Sequence, residues 1–258
     1  MFCMTTSSVN PPQPKSLPGV AILGLTVHNV TMQTALAAMD GFFEAGSPHH
    51  VVTADASMLV LAQEDTALHA IVSGADLVTP DSVGVLWASK QAGDPLPERV
   101  SGVEIVEQLC RRSAETGYRL FFLGAGPGVA AQAAEKMRAK YPGAQIVGTR
   151  DGFFKPDETD ALVAEIREAQ ADAVFVAMGI PKQEKWIAAY RDRLGAAVLI
   201  GVGGTFDVLS GNVKRAPILF QKLRLEWLWR VLSNPRKISK VMLLPRFVRM
   251  VRQARKPR

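Results

Sequence analysis

The chain has 258 residues, 48% of them hydrophobic, with two cysteines, four histidines and a formal net charge of +6. That content buries a core for one large α/β domain, or a domain plus an appendage, and excludes a disordered chain. Cys3 and Cys110 cannot build a disulfide framework, the histidines have no zinc-ligand spacing, and no apolar run nears the ~20 residues that span a bilayer. The first 18 residues also lack the cationic start and apolar centre of a signal peptide, so a reducing cytoplasm is the expected compartment.

In chain order, residues 1–18 form a leader rich in Pro, Ser and Gln and are expected to be disordered. Strand signals then alternate with helix signals. A strand is expected over 20–23, a helix capped by Thr31 to about Glu44, a strand over 50–53, and a helical pattern through Leu68. A short strand at 76–78 precedes a helix over 83–92, a loop marked by Pro95 and Pro97, and a helix over 102–116. Next come a strand at 119–123 with a Gly-rich exit, a helix to Lys140, a strand at 146–149 and a helix over 157–170. Residues 173–177 suit a strand covered on both faces; Gly179 breaks it, and Pro181 is expected at the first helical position. A last strand over 198–202 closes the sheet with another Gly-rich exit. Strands separated by helices of about ten to fifteen residues predict right-handed crossovers and a mostly parallel, Rossmann-like α/β sheet over 19–211.

Residues 212–258 differ in kind: fourteen lysines and arginines face Glu226 alone, a net +13, while the rest of the chain carries 16 basic and 23 acidic residues, a net −7. This basic helical appendage suggests an anionic partner, a membrane surface or a nucleic acid. Leu223, Trp227, Leu228, Val231 and Leu232 share one helical face. After Pro235, Ile238, Val241, Met242, Phe247 and Val248 interleave with Lys240, Arg246 and Arg249, a pattern that suits a helix on an anionic leaflet or one docked on the body.

Polar residues of interest gather at the strand exits, the edge where open parallel sheets bind ligands. Thr53 and Asp55 leave one strand and Thr79 and Asp81 the next. If those strands are neighbours both acids face one crevice. Asp81 then either caps the helix that follows or acts as a general base whose pKa the second carboxylate raises. Arg99, in a loop, is a solvated cation or a diphosphate ligand. Gly124, Gly126 and Gly128 follow a strand and open a helix, so their N–H groups can cradle phosphate; the dinucleotide fingerprint is imperfect because its third glycine falls at Val129. Phe153 and Phe154 either pack in the core or stack on a base. Lys182, Gln183 and Glu184 enter a first helical turn, as an anion pocket or as an ordinary helix start. Gly203 and Gly204 bring Asp207 to the same rim, where it can accept from a uracil or ribose or form an Asx turn.

The segments VVTADAS, TPDSVGV, ERVSGVEIV, FFLGAGPG, GTRDGFF, MGIPKQEKW, GVGGTFDVLSG and LEWLWRVLSNPRK, in this order over roughly residues 20–240, resemble the WecG/TagA/CpsF family of bacterial glycosyltransferases. PKQE followed by GGTFD and EWLWR is the specific part. The resemblance implies inverting transfer of a sugar, N-acetylmannosamine or a related hexose, from a UDP-sugar to a polyprenyl-diphosphate-linked saccharide in cell-surface polysaccharide synthesis. It implies a cytoplasmic enzyme on the inner face of the membrane, with an anionic membrane surface as partner, no nucleic acid and no cofactor; a homo-oligomer is compatible with it. Asp81 matches the position of the catalytic base. Thr53, Arg99 and Gln183 match polar site positions, Phe153 and Asp207 the nucleotide end, and Arg230 and Lys237 the cations of the appendage.

Three positions depart from the family pattern. Asp55 stands where many members have Asn, Ser82 where many have Gly, and Lys237 where an arginine would offer bidentate geometry. The first two touch the sugar end of the site and bear on the identity of the donor sugar. No Asp-x-Asp pair occurs in the sequence, so helix N-termini after Gly128 and Pro181, Arg99 and the appendage cations are expected to neutralise the leaving diphosphate without a metal. Two alternatives stand beside this reading, a nicotinamide oxidoreductase built on the glycine-rich loop and a nucleic-acid binder built on the basic tail.

Overall fold

The computed structural model describes residues 17–213 and 242–254. Most of the expected leader lies outside these residues. Leu17 and Pro18 belong to the body, since Leu17 packs on the core and Pro18 O accepts from Asn29 N–H at 2.7 Å. The first appendage segment, with Arg230, Lys237, Leu223, Trp227, Leu228, Val231 and Leu232, also lies outside the described residues, as do Ile238, Lys240 and Val241.

The chain opens on an antiparallel hairpin, β1 (Gly19–Ile22) and β2 (Leu25–His28), with Ile22 opposite Leu25. Between them Leu23 and Gly24 have φ of 51° and 80°, the two positive values that a primed two-residue turn requires. Val20, Ile22, Leu25 and Val27 face the core while Gly19, Ala21 and Thr26 face solvent. The expectation of one parallel strand over 20–23 is therefore corrected: VAILGLTV holds two strands, and neither joins the main sheet. His28 links the hairpin to that sheet by accepting from Val78 N–H at 2.8 Å through Nδ1.

Six strands form the parallel sheet: β3 (His49–Ala54), β4 (Leu77–Pro80), β5 (Arg119–Gly124), β6 (Gln145–Arg150), β7 (Ala173–Ala177) and β8 (Val198–Gly201). Their spatial order is β4-β3-β8-β7-β5-β6. Every residue of β3, β4, β7 and β8 is buried, and β7 and β8 read as continuous apolar runs. β8, the last strand in sequence, sits at the centre of the sheet between β3 and β7. Side chains alternate between the two faces. Val51, Phe122, Phe175 and Ile200 meet α1 (Met32–Ala45), α5 (Gly102–Thr116), α6 (Val129–Lys140) and α9 (Thr205–Leu209). On the other face Val52 meets α2 (Ala56–Leu61) and α3 (Thr66–Ser73), while Phe121, Val174 and Leu199 meet α7 (Thr159–Glu168) and α8 (Lys182–Leu194). α4 (Val83–Ala92) packs with the hairpin side of that layer.

Two helix expectations need correction. The pattern through Leu68 is broken because Asp65 accepts from Leu68 N–H at 3.0 Å and starts a new helix, α3. The helix expected from residue 157 begins at Thr159, after a 3-10 turn at Pro156–Glu158.

The last described helix, α10 (Leu243–Ala254), buries Phe247 and Val251 against α2 and α4. Phe247 is 0% exposed and meets the Trp87 ring edge-on at 6.3 Å. Docking on the body is thus what Phe247 and Val251 do, while Met242 is 70% exposed, and docking leaves the membrane role of the cations open; Arg246 adds an ion pair to Glu64 at 2.6 Å. No described helix is long and apolar enough to cross a membrane.

Candidate active site

The carboxyl ends of the six strands share one edge, and the expected polar residues start there. β3 and β4 are neighbours in parallel register, with Thr53 beside Thr79 and Ala54 beside Pro80. Asp81 N–H donates to Ala54 O at 2.9 Å, so the two acids leave adjacent strand ends. Asp55 caps α2, its Oδ1 accepting from Met58 N–H at 2.8 Å. The N-cap of α4 is Ser82, one residue after Asp81, and its Oγ accepts from Val85 N–H at 3.3 Å. Thr79 turns fully inward and does not line the crevice. Thr53 is also buried, and its hydroxyl donates to Gly201 O at 2.7 Å, tying β3 to β8.

The Arg99 loop joins the same corner because Val100 N–H donates to Pro80 O at 2.9 Å. Arg99 reaches Glu104 at 3.5 Å, and Glu104 in turn accepts from Ser101 Oγ at 2.7 Å, at the N-terminus of α5. Arg99 is thus a partly covered cation held against a helix start, one residue beyond the strand-end bridge.

At the other half of the edge, Gly124 has φ 125°, and a Cβ there would lie 2.4 Å from Ala177 O; only glycine allows β5 and β7 to exit this close together. Ala125 N–H donates to that same carbonyl at 2.8 Å. Gly126 O accepts from Val129 N–H, and Gly128, the N-cap of α6, supplies no side-chain cap. The start of α6 therefore faces an open cavity of about 170 Å³ lined by Gly128, Ala130, Ala131, Thr149, Arg150 and Asp151. Unsatisfied N–H groups at such a start favour an anion.

Phe153 and Phe154 lie in different surroundings. Phe154 packs edge-on to Trp186 at 6.4 Å with Lys182 Nζ 5.5 Å over its ring. Phe153 stands 78% exposed at the exit of β6, held by its N–H to Asp151 Oδ1 at 2.9 Å.

At the start of α8, Pro181 is the N-cap and Lys182 the first helical residue, one position later than expected; the Ile180–Pro181 bond is cis. Lys182 lies at the surface with Nζ 3.4 Å from Gly152 O. Gln183 and Glu184 instead turn inward. Gln183 Oε1 accepts from Gly179 N–H at 3.1 Å and Gly203 N–H at 3.0 Å. The adjoining turn carries Gly203, with φ 56°, and Gly204. It ends in α9, where Phe206 stacks on Phe122 at 4.7 Å and anchors half-buried Asp207 to the core. A stack of this kind adds about 0.5–1.5 kcal/mol beyond the area it buries. Lys136 Nζ donates to Ser210 O at 2.5 Å, fastening α9 to α6.

Sequence reasoning placed Glu184 only in a helix start. Its complete burial is foreshadowed by Pro181, which lacks the N–H that an acid in the first turn normally accepts. Cys110 takes no part in the site: burial pushes its thiol up to about 12, which keeps it un-ionised. Among the described residues no group of three or more His, Cys, Asp or Glu is arranged to hold a metal ion.

The family model for the glycosyl transferase WecG/TagA/CpsF family matches residues 20–258. The chain is also similar to the N-acetylglucosaminyldiphosphoundecaprenol N-acetyl-beta-D-mannosaminyltransferase of Bacillus spizizenii, 38% identical over 201 residues that cover 78% of this chain and 77% of that protein. A match over nearly the whole described body, with the acids, the glycine turns and the PKQE helix start at one sheet edge, leaves one assignment: the chain belongs to the WecG/TagA/CpsF family of glycosyltransferases.

Proposed function

We propose that this glycosyltransferase moves N-acetylmannosamine or a related hexose from a UDP-sugar to a polyprenyl-diphosphate-linked saccharide, with inversion at the anomeric carbon. The relative's name, a mannosaminyltransferase acting on a diphosphoundecaprenol-linked sugar, supports both the sugar class and the lipid-linked acceptor. The observation that carries the mechanism is the place of Asp81 at the shared strand-end edge, beside Asp55, where its N–H donates to Ala54 O at 2.9 Å. Asp55 accepts from Met58 N–H as the cap of α2. Asp81, which matches the family position of the base, is assigned that role: it takes the proton of the acceptor hydroxyl as that oxygen bonds to the anomeric carbon and the bond to the UDP oxygen breaks.

The leaving diphosphate is neutralised by the start of α6, by Arg99, and by Lys182 with Arg230 and Lys237 from the appendage. Exposed Phe153 stacks on the uracil and Asp207 accepts from the nucleoside, with Gly124, Gly126, Gly203 and Gly204 letting the backbone come close. Asp55 and Ser82 flank the sugar end. The acceptor lipid brings the enzyme to the inner face of the cell membrane, where appendage cations meet anionic headgroups.

Incubation with radiolabelled UDP-hexoses and a short lipid-diphosphate-linked N-acetylglucosamine tests this reading. Label from UDP-N-acetylmannosamine or a close relative should enter the organic phase, with an anomeric configuration opposite to the donor's. Failure of every UDP-hexose to label the lipid, with the protein folded, would overturn it.

A further inference from the structure

The first turn of α8 holds two enclosed polar side chains, Gln183 at 1% exposure and Glu184 at 0%. An acid or amide early in a helix ordinarily turns back to the N–H of the N-cap residue. Pro181 occupies that place and has no N–H. Gln183 reaches further back instead: Gly179 N–H donates to its Oε1 at 3.1 Å while its own N–H donates to Gly179 O at 3.0 Å. The same oxygen accepts from Gly203 N–H at 3.0 Å, across the gap between the exits of β7 and β8.

One amide oxygen thus serves two backbone donors, which requires the amide to face one way only; flipped, its NH₂ would oppose both N–H groups. The other end of the amide is fixed by Glu184, whose Oε1 accepts from Gln183 Nε2 at 2.7 Å. Gly201 completes the seat. A Cβ there would lie 2.6 Å from Gln183 Nε2 and 2.9 Å from Glu184 Oε1. Gly201 O is also the acceptor of the Thr53 hydroxyl, so the pair is joined to three strand exits, those of β7, β8 and β3.

We propose that Glu184 is a positioning residue: by holding the Gln183 amide in one orientation it fixes the Gly179 and Gly203 loops and, through them, the turn that presents Asp207 to the donor nucleotide. Gln183 then acts within the wall of the site, in place of the substrate contact that the family resemblance implies. The kinetic part of this inference rests on the UDP-sugar reading; the loop ordering does not.

The test uses the full-length protein with Glu184→Gln, which keeps an acceptor oxygen at the same reach, and Glu184→Met, which has similar length and no comparable acceptor. Amide hydrogen exchange at Gly179 and Gly203 and the KM for UDP-sugar are read together. Glu184→Met should speed exchange at both glycines and raise donor KM roughly tenfold, the effect of losing one or two hydrogen bonds. Glu184→Gln should stay within about twofold of wild type on both. Gln183→Met should reproduce Glu184→Met, and the double variant should be no worse than either single one. Unchanged exchange in Glu184→Met, or equal impairment in Glu184→Gln, overturns the proposal. If Glu184→Met does not fold, Glu184→Ala is read in its place: faster exchange at both glycines than in Glu184→Gln decides for the proposal, and equal exchange in the two variants decides against it. Because exchange is read without ligand, a protein inactive on every UDP-sugar would defeat the donor reading while the loop measurement still judged the pair.

Discussion

The N–H of Asp81 donates to the carbonyl of Ala54 at 2.9 Å, so two acids from adjacent strands emerge side by side. Asp55 ends its own strand by capping α2 at Met58. Replacing Asp55 by Ala should lower unfolding free energy by about 1 kcal/mol, the usual value of such a cap, and Asp55→Asn should restore it. Denaturant midpoints of the three proteins check this. Equal stability for Asp55→Ala and wild type would remove the cap from the account.

The second expectation concerns acid. His50 is buried at the opposite end of β3 from the site, and desolvation, followed by the nearby Arg191, lowers its pKa from 6.5 to about 4; Asp76 opposes the shift. The unfolded chain therefore takes up the proton before the folded one does. Stability is highest with the ring neutral, above pH ~6.5, and falls as pH drops through about 4, by roughly 3 kcal/mol. Urea midpoints at pH 7 and pH 4.5 should diverge more for wild type than for His50→Gln. Equal divergence would show that His50 does not carry the effect.

The third expectation separates docking from membrane binding in α10. Deleting residues 238–258 would remove Phe247 and Val251 from the core as well as the cations, so loss of liposome binding by a truncated chain could reflect a damaged body. Phe247→Ala should cost about 3–5 kcal/mol of stability. Reversing the exposed cations with Arg249→Glu and Arg252→Glu should leave melting unchanged. It should weaken co-sedimentation with anionic vesicles at least about tenfold at low salt, since each cation near such a surface contributes about 1 kcal/mol. Unaltered sedimentation of the charge-reversed protein would place the membrane contact elsewhere.

Much of the fold was readable because its strands are buried on both faces and its helices start and stop at recognisable residues. Thr31 and Ser101 cap, Gly93 and Gly117 terminate in the left-handed region, and the helices Val83–Ala92 and Gly102–Thr116 fall where the pattern put them. The hairpin was hidden because Leu23 takes a positive φ that leucine seldom adopts, so only Gly24 signalled the turn. The break before Asp65 was hidden by an apolar periodicity that continues across it. Spatial order is set by which faces pack, which one sequence does not state; hence the central place of β8. The oxidoreductase and nucleic-acid alternatives rested on the glycine loop and the basic tail taken singly, and the family match over both replaces them. In the site, residue types were legible but their directions were not: Thr53, Thr79, Gln183 and Glu184 all point inward, and only Pro181 hinted at why.

The central claim is that Asp81, and not its neighbour Asp55, deprotonates the acceptor. Turnover with UDP-sugar and lipid-diphosphate acceptor, measured beside UDP affinity for Asp81→Asn and Asp55→Asn, tests it most directly. Asp81→Asn should bind UDP as wild type does and lose at least about a hundredfold in turnover, the size of a general-base contribution, while Asp55→Asn keeps most of its rate. Turnover of Asp81→Asn close to wild type, or an equal loss in both variants, would contradict the account.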